Sequence, residues 1–150
     1  ADAPAIGDVV RDASGTAWTI LEVAESRASG RWICRARNLA IAAGLDRTVR
    51  IQQAAWSKAP SGDAVATWHD VAVGVPARIQ TERSVVEIDQ GRRDAAVTHK
   101  IYLATALPLN EDYRIVHEEN VYRIVSLENV QRIDQLIVVN ADQSQLAVNA

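Results

Sequence analysis

Two residue types that fill many protein cores are missing: there is no Phe and no Met among the 150 residues. The interior must be built from Val, Ile, Leu, Ala and four Trp. Val and Ile carry branched side chains that pack well on pleated strands, so this choice leans towards β structure. The single cysteine, Cys34, excludes an internal disulfide and makes a reducing compartment the simplest home. A domain of this length buries roughly 70% of the surface its unfolded chain exposes and needs no such staple. No apolar run approaches the roughly 18 to 20 residues of a membrane helix, and the N-terminus lacks the pattern of a signal peptide. A basic excess is missing too. The net charge of −3 argues against a chain whose main task is gripping nucleic acid.

Catalytic signatures are equally scarce. There is no Gly-x-Ser-x-Gly elbow, phosphate loop or dinucleotide fingerprint. His69, His99 and His117 lie far apart, and none stands at metal-ligand spacing from another or from Cys34. Cys34 sits beside Ile33 on a Trp-bearing strand and reads as a buried structural thiol, with neighbouring Arg35 and Arg37 the only hint of reactivity. Acidic pairs such as Glu118-Glu119 fall in turns, where solvated charge explains them. The sequence therefore predicts no enzyme, no catalytic residue, no metal and no cofactor.

What is present is alternation. "GDVVRD", "AWTILEV" and "RWICRAR" read as three short strands joined by turns at Gly15 and Gly30. "NLAIAAGLD" reads as a short helix ending at Gly44 or as a plain crossover. Longer strands follow: "RTVRIQQAAW", "TWHDVA", "VPARIQ", "VTHKIYLATAL", the paired "YRIV" segments at 113–116 and 122–125, and "RIDQLIVVNA". Each half of the doubled segment has one apolar face and one mixed face, as a half-buried antiparallel sheet requires. The expected fold is all-β: a small antiparallel barrel or sandwich of about seven strands preceded by a three-stranded unit. The expected divisions are 1–45 for that unit, 46–142 for the barrel and 143–150 for a tail.

Two features stand out as surface with a possible task. Arg31, Arg35 and Arg37 share one strand face, which is either an ordinary solvated row or a contact for an anionic partner. The polar stretch from Thr81 to Ala96 reads as a long loop, either functional or simply flexible.

The order of the later pieces resembles the head–tail joining proteins of tailed bacteriophages, also called head closure, stopper or head-completion proteins. The resemblance covers roughly residues 47 to 142. It rests on Trp68, Val75, Ala77, Arg78 and Ile79 before the polar stretch, and on Thr98, His99 and Ile101 after it. Arg114, Ile115, Tyr122, Arg123 and Ile124 follow, then Arg132, Leu136 and Val138. The first 45 residues depart from the compact family pattern.

The resemblance implies a β-barrel of the virion neck, made in the host cytoplasm. It would assemble as a homo-oligomeric ring of about 6 or 12 copies beneath the portal or its adaptor. Such a ring meets tail-terminator or other tail proteins, retains packaged DNA, lies transiently close to that double-stranded DNA, and touches no membrane. The family's long loop maps onto residues 80 to 97, with Gln90, Gly91, Arg92 and Arg93 as candidates at the channel. Arg114 and Arg123, with Arg31, Arg35 and Arg37, are the candidates for interfaces or anion contacts. Two other roles compete: a tail-terminator or tail-tube-associated ring protein, and a β-barrel adaptor that binds a peptide along a strand edge in the Trp18 and Trp32 unit.

Overall fold

A computed structural model describes residues 3–26, 28–88, 93–131 and 136–145. Side chains are described in the strands except at 83–88, 93–95, 129–131 and 144–145. The front unit is a three-stranded antiparallel sheet in the order β1 (Val9–Arg11), β2 (Ala17–Ser26) and β3 (Arg31–Arg37). The turn between β1 and β2 is organised by the Asp12 carboxylate. It accepts hydrogen bonds from the Ser14 hydroxyl at 2.5 Å, the Ser14 and Thr16 amides at 2.9 and 3.0 Å, and the Trp18 indole at 3.0 Å. A one-turn helix, α1 (Leu39–Ala42), follows β3. The Asn38 side chain caps its start by accepting from the Ile41 amide at 3.1 Å. Gly44, at φ +64°, ends it, with Leu45 N–H reaching Ala40 C=O and Gly44 N–H reaching Ile41 C=O.

The remaining strands are β4 (Arg47–Lys58), β5 (Ala64–Ile88), β6 (Arg93–Ala104), β7 (Tyr113–His117), β8 (Asn120–Gln131) and β9 (Leu136–Gln145). They close into an antiparallel barrel in the order β4-β5-β6-β9-β8-β7. Closure comes from β4 and β7, where Ile51 pairs with Ile115 and Gln53 with Tyr113. Inward positions are those the alternation marks: Val49, Ile51, Ile101, Leu103, Ile115 and Val139 are fully enclosed, and Tyr113, Tyr122 and Ile124 pack with them. His99 stands over the Tyr122 ring edge at 5.2 Å between centroids, where burial lowers its pKa. The same burial, helped by the Glu118 charge, raises that of Tyr122.

Several expectations change. The barrel has six strands rather than seven, because "TWHDVA" and "VPARIQ" form one strand. Val49 pairs with Val75 while Ile51 pairs with Ala72, so β5 carries an extra residue where Gly74 adopts φ +68°. The residue that looked like a break makes a bulge, and pairing with β4 continues through it. The stretch from Thr81 to Ala96 is not a loop either where it is described, at 81–88 and 93–96. β5 and β6 keep pairing from Ser84 with Val97 to Ile88 with Arg93, which makes a two-stranded ribbon. Ladder hydrogen bonds between the two strands hold it extended. Cys34 is exposed, not buried, because β3 is the outer strand of a thin sheet. β9 runs to Gln145, three residues into the expected tail, while Leu146 and Val148 lie outside the described residues.

Candidate functional site

The outer wall of β4, β5 and β7 carries a connected polar group. Asp70 accepts from Gln52 Nε2 at 2.7 Å and pairs with Arg50 at 3.4 Å. Gln52 Oε1 accepts from Arg114 Nε at 2.7 Å, and the Arg114 guanidinium stacks 4.3 Å from the centre of the Trp68 ring. Burial, then repulsion from Arg50, lowers the Arg114 pKa, with Asp70 acting in the opposite sense. Arg114 also lies directly opposite Arg123 in the β7–β8 ladder. Two like charges there would repel. The wall resolves this by drawing Arg114 towards Gln52 and Trp68, and Arg123 towards Asp142 at 3.6 Å.

Trp56 stands on the extension of the same wall, largely exposed, and its indole donates to Asp112 Oδ1 at 3.0 Å. Beside it lies a cleft of about 710 Å³ lined by Trp56, Leu109, Glu111, Asp112, Arg123 and Leu127, among others. Asp70, Gln52 and Trp56 are not among the residues that the sequence singles out, and Glu111 with Asp112 reads there only as a solvated acidic pair in a turn. The signal for Asp70 was available, since Asp is depleted in strands and this one sits between Trp68 and Val71.

On the front sheet the register places Arg31, Arg35 and Arg37 on one face with Ile33 among them, as alternation predicts. Arg35 pairs with Glu22 at 3.0 Å, both strongly exposed. The arginine candidates thus fall into two groups, three on β3 and two on the β7–β8 wall. Between sheet and barrel, the Arg78 guanidinium lies 4.1 Å from the centre of the Tyr102 ring and packs near Gly44. Its Nε is buried with no hydrogen-bond partner among the described residues. The stack on Tyr102 holds the guanidinium beside the end of α1. Of the channel candidates, Gln90, Gly91 and Arg92 lie outside the described residues. Arg93 is placed by its backbone alone, opposite Ile88.

Among the described residues, no three His, Cys, Asp or Glu side chains converge to hold a metal ion, and no helix is long and apolar enough to cross a membrane. What the arrangement offers is walls: an apolar barrel interior, polar outer faces with aromatic stacks, and a ribbon reaching beyond the barrel.

No curated protein matches the sequence. A chain from the virion of a native gene transfer agent particle superposes with a TM-score of 0.48 at 16% identity, covering 68% of this chain and 96% of that one. The model of the phage head completion protein family matches residues 41–143, which include α1 after its first two residues and nearly the whole barrel. With more than half of its length matched, the chain belongs to the phage head completion protein family.

Proposed function

We propose that this virion structural protein assembles as a ring in the neck of the particle, joins the portal or its adaptor to the tail, and helps to retain packaged DNA. The observation that carries the reading is the family match across the barrel. A closed barrel leaves no free edge within itself, so its contacts with other shell proteins must be made by side chains on its walls and by the elements that project from it. A ring is built from heterologous contacts, in which two different patches meet around a rotation axis. Each such contact needs roughly 1,200 Å² of total buried surface to be stable.

The β5–β6 ribbon is the element suited to the channel. It has paired residues from Ser84 to Ile88, which extend it by roughly 15 Å at about 3.3 Å per residue. Its last described pair is Ile88 with Arg93, and the candidates Gln90, Gly91 and Arg92 fall between those two residues in the sequence. The net charge of −3 suits a conduit, because phosphate held tightly would stop DNA from sliding past. The reading is tested by removing the chain from assembling particles. Filled heads that lose their DNA and carry no tails are expected, and normal tailed particles would refute it.

A further inference from the structure

The front sheet lies outside the matched family region, and it is the part with most unexplained surface. Every residue of β3 from Arg31 to Ala36 is exposed, so both faces of the distal β2–β3 hairpin stand in solvent. Two large apolar side chains sit there uncovered, Trp32 at 46% and Ile33 at 63% exposure. Arg31 and Arg35 flank Ile33 on one face. Arg31 has no ionic partner among the described residues, and the exposed Arg35–Glu22 pair is weak enough to be shared.

The cleft beside Trp56 has the complementary character. Its apolar lining includes Trp56 at 59% and Leu127 at 39% exposure, and its rim carries Glu111 and Asp112. Arg123 also stands there, with Asp142 3.6 Å from it, so the acids Glu111, Asp112 and Asp142 outnumber that one cation. The barrel order fixes where the cleft stands. The segment from Arg37 to Ala43 packs over Arg78 of β5, Tyr102 of β6 and Leu136 of β9. The cleft belongs to β4, to β8 and to the segment leading into β7. In the closed order β4-β5-β6-β9-β8-β7 these are opposite walls.

We propose that copies of this chain join head to tail, with the β2–β3 hairpin of one copy seated in the Trp56–Leu127 cleft of the next. Ile33 enters the cleft, and Arg31 and Arg35 meet Glu111 and Asp112. Two different patches are what a closed ring requires, and a self-matching patch would stop at a dimer. The inference rests on the ring reading and names the surfaces that would close it.

The lone native thiol, Cys34, lies on the hairpin next to Ile33 and serves as a reporter. A second thiol is introduced in the full chain on the cleft rim by Glu111→Cys. Particles carrying this chain are treated with a short bismaleimide and analysed under denaturing conditions, with copies per particle counted by mass spectrometry. A ladder of trimers and larger species is expected from Glu111→Cys. The wild-type chain and the Glu111→Cys, Cys34→Ser double variant, with one thiol each, should stay monomeric. Adding Ile33→Asp, or Arg31→Glu with Arg35→Glu, should remove the ladder. Many copies per particle without a ladder, or Cys34 linked to another protein, would overturn the head-to-tail contact and leave the ring reading standing. One copy per particle would refute both.

Discussion

Asp12 shows how much structure one carboxylate can organise. Four donors converge on it, led in effect by the Ser14 hydroxyl and the Trp18 indole, and its pKa falls to about 2. The depressed value means that the folded turn favours the charged form. Its contribution is fully present above the ordinary carboxylate value near 3.8 and is lost as pH falls through about 2. A carboxyl titration followed by NMR should place Asp12 at the low end of all the acids. The Trp18 indole N–H resonance should move with it at the same midpoint. In Asp12→Asn that low-pH step should vanish, and a Trp18 signal still titrating near pH 2 would show that the indole bond is not the cause. At the same scale, Arg114 shows a different compromise. Its planar fork stacks on Trp68 and donates to Gln52, geometry that a lysine ammonium cannot reproduce.

At the scale of elements, the bulge in β5 separates backbone strain from packing. A Cβ at Gly74 would meet nothing within 4 Å, so space is available, yet φ is +68°. Gly74→Ala should therefore cost about 1–2 kcal/mol from the left-handed backbone alone. Thermal unfolding should report that loss, whereas an unchanged Tm would mean that β5 slides to a straight register instead. The bulge also explains what the sequence could and could not reveal. Ile101, Ile115, Tyr122, Ile124 and Val139 were legible because alternation exposes a core face directly. Core positions also enter the family resemblance, where Ala77, Ile101, Ile115, Tyr122, Ile124, Leu136 and Val138 are all buried. Gly74 and Pro76 looked like punctuation because a bulge and a strand break use the same residues. The ribbon within 81–96 looked like a loop because its sequence is largely polar and gives only a weak strand signal, at Val85, Val86 and Ile88. Cys34 looked buried because alternation assigns faces without saying whether anything covers them. The Asp70–Gln52–Arg114 cluster was illegible for a related reason: its members, at 52, 70 and 114, meet only when the barrel closes.

For the whole molecule, the division at residue 45 that the sequence suggests can be put to a direct physical test. The buried cluster of the barrel begins at Val49 and draws nothing from the front sheet. Within the sheet, Ile20 and Thr19 are buried, and a cleft lined by Val9, Thr19, Leu39, Leu45 and Pro76 marks where it meets the barrel. Removing residues 1–37 should therefore expose Leu45 and part of α1 without opening the core. The expected cost is about 2–4 kcal/mol, the loss of one or two apolar side chains from cover. Such a truncated chain should keep its β-type circular dichroism and melt in one cooperative step at a lower Tm. If the head-to-tail contact is made by the hairpin, the same chain should also fail to cross-link into a ladder while its barrel stays folded. A non-cooperative melt would show that the two sheets share one core. The family match over 41–143 would then describe a piece that cannot stand by itself. A cooperative melt together with a lost ladder would assign folding to the barrel and ring closure to the addition in front of it.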